Sequence, residues 1–365
     1  MRNCRLAALL TVMGTAAALV WWLSRDGSAA DLGLGATQEK AGSPGFLAGP
    51  HMAPRPVLDL PDPQGWIQPR GRVVVRTGWG AGLGELGRRA GQESSPEAPM
   101  SLSVDRAGNV SILDQVNRRV QRFDRNGRPR GSVMLPTDTA QDLVVQDDRV
   151  LVLDRLGDAP GVHMTDLDGN LIGKLEVVGG QVREGGGITG LFADGDGIYV
   201  ESAHDDLVRV AGASGQPTAL QQTIPGRPSR DGRFYLKAGI IDKAAGRVYV
   251  QAHDRQKQLA WETPLNLGRP LLQLLLLDTD TSGRVYLGAE VGQEDPVTHA
   301  MSGLGTLVVR LDSAGHLSAV LELPPTTSDP AETFRPLVVG DDGTLYHLVA
   351  SASGVTVTAY RFGDG

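Results

Sequence analysis

Two histidine–aspartate pairs are the residues best suited to chemistry in this chain. His204-Asp205-Asp206 and His253-Asp254 each follow a short apolar run, His204 six residues after Ile198 and His253 five after Val248. A third histidine, His299, stands beside Glu294 and Asp295 in the segment Val291–Gly305. Imidazole and carboxylate are the donors that hold zinc, and carboxylates suit calcium. If neighbouring repeats bring these side chains to one edge, His204, Asp205, His253, Asp254 and His299 are candidate ligands for either ion. The competing expectation is that they are polar surface residues and that the chain uses no cofactor.

Other chemistry is poorly represented. The only cysteine is Cys4, so a disulfide, a cysteine-based zinc site and a cysteine nucleophile are all excluded from the body. No glycine-rich run opens a helix as a phosphate loop must, and no Gly-x-Ser-x-Gly turn joins a strand to a helix. Arg118, Arg119, Arg122, Arg125, Arg128 and Arg130 form one basic cluster. They alternate through a strand and its turn without the interleaved aromatics that stack bases. The net charge of −7 lies entirely beyond Gly65, where 37 acidic side chains face 30 basic ones, so no nucleic-acid partner is expected.

The elements that must position these residues are short strands. The pattern of apolar strand, Asp/Gly turn and Val-Tyr-Val-like strand recurs in SLSVDRAGNVSILD, DLVVQDDRVLVLD, GLFADGDGIYVES, GIIDKAAGRVYVQA, LLLDTDTSGRVYLGAE and PLVVGDDGTLYHLVA. The second strands begin at Val110, Val150, Ile198, Val248, Val285 and Leu345, at spacings of 40, 48, 50, 37 and 60. Four-stranded units repeating at this length bury their faces by stacking in a ring. The fourth unit leaves room for only one further clear strand, LLQLLLLD. The last unit stops after its third strand, and Arg72–Thr77 is an orphan strand near the start of the body. If that orphan completes the last unit, the ring closes and leaves no open edge.

The stretch PMSLSVDRAGNVSILDQVNRRVQRFDRNG, preceded by the glycine-rich GWGAGLGELG connector, resembles the NHL repeat. The resemblance implies an all-β, six-bladed β-propeller over residues 67–365. It also implies a loop signature, Asp114, Asn117 and Arg118, in which short polar groups shape the turn and the arginine spans to the aspartate. Asp154 keeps the aspartate in the next unit. Some six-bladed propellers are metal-dependent lactonases or lyases, and some NHL propellers bind single-stranded RNA through a basic face.

Ahead of the body, Leu6–Leu23 is an uncharged apolar run of 18 residues behind Arg2 and Arg5, with Trp21 and Trp22 at its far end. As a helix it would span about 27 Å, close to the hydrocarbon core of a bilayer. Residues 1–23 read as a signal anchor, with a signal peptide cleaved near Ala30 as the alternative. Residues 24–66, rich in Gly, Pro and Ala, read as a tether. The expectation is a monomeric propeller in the periplasm, held at a bacterial-type inner membrane through residues 6–23. It would act as a scaffold for a protein or peptide partner, with a metal-dependent hydrolase or lyase as the alternative.

Overall fold

Aliphatic runs dominate this chain because most of its strands are packed on both faces. The computed structural model describes residues 56–90, 96–146, 148–179, 182, 184–202, 206–298, 300–323 and 333–363, all within one compact unit. The apolar run Leu6–Leu23 lies outside the described residues. Among those described, no helix is long and apolar enough to cross a membrane.

Six antiparallel sheets form the blades of a propeller. Blade one comprises Ser101–Val104, Val110–Asp114, Arg119–Phe123 and Pro129–Met134; blade two Asp142–Gln146, Arg149–Asp154, Gly161–Asp166 and Leu171–Glu176. Blade three comprises Ile188–Ala193, Gly197–Ser202, Asp206–Gly212 and Pro217–Ile224; blade five Leu271–Thr279, Val285–Glu294, Met301–Leu311 and Leu317–Leu323. In each, the first strand lies innermost. Val110–Asp114 is buried at every position, whereas the outer strand Pro129–Met134 is largely exposed. Sheets stacked face to face around an axis require this gradient.

The ring closes where the two ends of the body meet. Blade six takes Leu337–Val339, Leu345–Ser351 and Gly354–Tyr360 from the end of the chain and Gly71–Thr77 from its beginning. Gly71 pairs with Tyr360 and Thr77 with Val355, antiparallel, so the orphan strand is the outer strand that blade six lacks. Gly127, at the last turn of blade one, fixes the neighbouring blade onto this strand. Its φ is +79°, and a Cβ there would stand 2.0 Å from the Val74 carbonyl oxygen. Gly127→Ala therefore combines a left-handed backbone, costing about 1–2 kcal/mol, with a collision against main chain. A lowered urea midpoint is the expected result.

Blade four departs from the sequence expectation. GIIDKAAGRVYVQA contains its second and third strands, Phe234–Asp242 and Arg247–Asp254, not its first and second. The innermost strand is only Arg227–Pro228, reversed through the turn at Gly232. A two-residue strand containing proline has no apolar run to reveal it, and the turn at Gly246 (φ +67°) resembles the turn expected one strand earlier. LLQLLLLD belongs to the inner strand of blade five. The fourth strand of blade four is Leu259–Asn266, and a fifth, Leu58–Asp59, lies parallel to it, with Leu58 opposite Leu265. From there the chain crosses to blade five, where Ile67 bridges Leu321. Residues 58–67 thus form a strap over the seam between blades four and five.

The two rims differ chemically. On the lower rim, which carries the turns between first and second and between third and fourth strands, aspartates cap the turns. At Asp105, Asp124, Asp166, Asp254, Asp280 and Asp312 the carboxylate accepts the amides two and four residues on. The Arg128 amide above all holds Asp124 below the usual carboxylate range, and the Asn170 side chain does so for Asp166. Much of the acidity of the body is therefore structural.

Candidate functional site

The inner strands meet around the axis through ion pairs. Asp142, fully buried at the start of blade two, accepts Ser101 Oγ (3.0 Å) from blade one, Leu191 N (2.9 Å) from blade three and Arg335 Nη2 (2.5 Å) from the connector into blade six. Burial pushes its carboxyl above the usual range despite the arginine. The Arg335 guanidinium also lies 4.9 Å from the centre of the Phe192 ring, and that of Arg227 lies 4.2 Å from it. Arg227 pairs with buried Glu201 (2.9 Å) and donates to the Leu277 carbonyl (2.6 Å). Nearby, Arg230 bridges Asp278 (2.9 Å) and Asp341 (2.8 Å). These pairs tie all six blades together. Each of these carboxylates is already met by a guanidinium, so the seam is suited to holding the ring, not to proton transfer.

The loop signature has the same character. Asp114 is fully buried; its Oδ1 accepts Gly87 N (2.8 Å), and its Oδ2 accepts Asn117 Nδ2 (2.8 Å) and Arg119 Nε (2.9 Å). The arginine on Asp114 is thus Arg119, not Arg118. Arg118 instead adopts a left-handed backbone (φ 52°) and sends its side chain to the Pro136 carbonyl (2.9 Å). Arg119 also donates to the carbonyls of Ala81, Gly82 and Glu85, clamping the glycine-rich connector against blade one. Asp154 accepts Thr139 Oγ1 (2.9 Å) and the amide of Gly157 (3.0 Å), again shaping a loop.

Of the metal candidates, only His253 and Asp254 lie among the described residues. His253 and Asp254 end the third strand of blade four, at the lower rim, because that blade is registered one strand later than expected. His253 is half-buried, and its Nδ1 has no hydrogen-bond partner among the described residues. Burial first and Lys237 second depress its basicity. The Asp254 carboxylate is occupied in capping its own turn. Among the described residues no three metal-ligating side chains cluster. His204, Asp205 and His299 lie outside the described residues.

The upper rim of blades four and five carries what sequence reasoning placed only in part. Val291–Gly305 is a strand extension, not a loop. The inner strand of blade five stops opposite Val291 and the outer strand opposite Thr306, and the two middle strands continue past both as a ribbon pairing Glu294 with Met301. Val297 at its tip is 84% exposed, and Met301 and Leu304 are exposed beside it. Asp295 fastens the tip by accepting the amides of Val297 and Thr298. Ile240 and Ile241 of blade four are also exposed, and nearby Lys243 O accepts Leu271 N from blade five. The strap completes this sector. Trp66 packs between the blades, and its Nε1 donates to Pro61 O (2.8 Å).

Two arginines of the axis share a local sequence signal: Arg-Pro opens the inner strand of blade four at Arg227 and precedes that of blade six at Arg335. Neither a family model nor a curated protein matches the sequence. Solved structures similar to it are propellers of diverse kinds. A hydrazine synthase of Kuenenia stuttgartiensis shares 13% identity at a TM-score of 0.48, over 71% of this chain and 76% of that one. The gluconolactonase XC5397 of Xanthomonas campestris shares 16% at 0.39, over 72% and 86%. A streptogramin B lyase shares 12% at 0.40, over 72% and 93%.

Proposed function

We propose that this chain is an exported propeller, tethered to the membrane through Leu6–Leu23, which binds a protein or peptide partner in the cell envelope through the upper rim of blades four and five. One observation carries the reading: the blade-five ribbon rises past its neighbouring strands and presents Val297, Met301 and Leu304 to solvent. A propeller does not need this ribbon for closure, and apolar side chains grouped on a projecting element suit a partner surface. The ion-paired axis supports the same reading, since its charges are spent within the ring.

The test replaces residues 293–302 of the full-length protein with a two-residue turn and compares co-purification from native membranes in mild detergent. Wild type is expected to retain a stoichiometric envelope protein. The shortened variant should lose it while melting at the same temperature. Equal capture by both proteins would place the binding surface elsewhere.

A further inference from the structure

Within the same rim, and resting on that reading, the seam under the strap suggests what kind of partner is recognised. Strap and blades enclose a groove of 390 Å³ between blades four and five. Leu60 and Trp66 supply apolar walls. Arg269 stands 6.0 Å from the centre of the Trp66 ring, but its charge is committed: it pairs with Glu322 at 2.6 Å and reaches the Gly303 carbonyl of the ribbon at 3.4 Å. The two remaining charges are both negative. Asp59 and Asp62 are exposed, and each uses one oxygen within the chain. Asp59 Oδ1 accepts Asn266 Nδ2 (2.8 Å), and Asp62 Oδ1 accepts the Gln64 amide (3.0 Å). The second oxygen of each has no partner among the described residues.

The volume lies at the low end of the range for small-molecule sites, about 300–1,000 Å³, so a short segment of extended chain fits and a folded domain does not. An apolar floor with two uncompensated carboxylates favours a segment that pairs a cation with an apolar side chain. We propose that the groove seats an extended peptide segment of the partner bearing lysine or arginine next to an aliphatic residue, with the cation at Asp59 and Asp62 and the apolar group against Trp66.

The test uses full-length protein in non-ionic detergent and two dye-labelled peptides, Ac-Lys-Leu-Lys-Leu-NH2 and Ac-Glu-Leu-Glu-Leu-NH2, read by fluorescence anisotropy. The lysine peptide is expected to bind and the glutamate peptide not. Asp59→Asn with Asp62→Asn keeps both acceptor oxygens and removes both charges, so folding is preserved and affinity for the lysine peptide falls about tenfold. Equal binding of the two peptides, or an unchanged affinity in the double variant, overturns the proposal. The variant with the shortened ribbon separates this inference from the reading beneath it. It is expected to keep the lysine peptide, because the groove lies outside residues 293–302, and loss of the peptide there would move the site to the ribbon. If wild type and the double asparagine variant capture the envelope partner equally well, the groove assignment fails while the rim reading stands.

Discussion

Arg119→Ala is expected to destabilise the propeller by about 3–5 kcal/mol, the usual cost of removing one partner from a buried ion pair. The Arg119 side chain is 9% exposed and that of Asp114 fully buried, so alanine leaves a carboxylate with only Gly87 N and the Asn117 amide to stabilise it. It also strips donors from the carbonyls of Ala81, Gly82 and Glu85. Those carbonyls belong to the connector that joins the closing strand of blade six to blade one. The loss is therefore felt where the ring is sealed. Arg119→Lys should recover only part of it, since one ammonium cannot reproduce the guanidinium fork. Guanidinium-chloride unfolding of wild type, Arg119→Ala, Asp114→Ala and the double variant measures the coupling directly. Additive losses in that cycle would mean that the pair contributes nothing beyond packing.

That pair illustrates what the sequence could convey. The aspartate, the asparagine and a nearby arginine were legible as a loop signature because they lie within six residues. Which of two adjacent arginines turns inward depends on the left-handed backbone at Arg118, which no local preference announces. Ring closure was legible because two incomplete ends, an orphan strand and a three-stranded last unit, admit one economical solution. The inner strand of blade four was not, because Arg227–Pro228 is too short to show periodicity, and the misread register carried His253 to the wrong rim. The strap was hidden by its composition: proline and glycine signal a linker, while its ladder to blade four involves only Leu58 and Asp59. The axial pairs were beyond reach for another reason. Arg335 and Asp142 are 193 residues apart, and only the assembled ring makes them neighbours.

The same burial that hides polar groups in this fold sets its response to acid: His347 should cost the fold stability as pH falls from 6.5 to 4, while buried Asp142, shifted upward, contributes with the opposite sign. The residue sits in the second strand of blade six, between Leu337 and Thr358, 1% exposed, with neither ring nitrogen hydrogen-bonded among the described residues. Burial lowers its pKa to about 4 from the ordinary 6.5. Between those values the unfolded chain binds a proton that the folded chain refuses, so stability increases with pH across the window. The contribution is fully present above pH 6.5 and is lost as pH falls toward 4, by roughly 3 kcal/mol in total. His163 and His253, half-buried and depressed chiefly by burial, add smaller slopes of the same sign. The turn-capping Asp124 and Asp166 carboxylates, shifted downward, act only at lower pH. His347→Leu removes the titration and keeps an apolar side chain of similar size in the seam. Urea unfolding at pH 7.5, 6.0, 5.0 and 4.5 should show the variant and wild type diverging steadily as the solution is acidified. Parallel curves would instead mean that His347 finds a proton acceptor or water when charged, and that the seam of blade six opens far more readily than its packing implies.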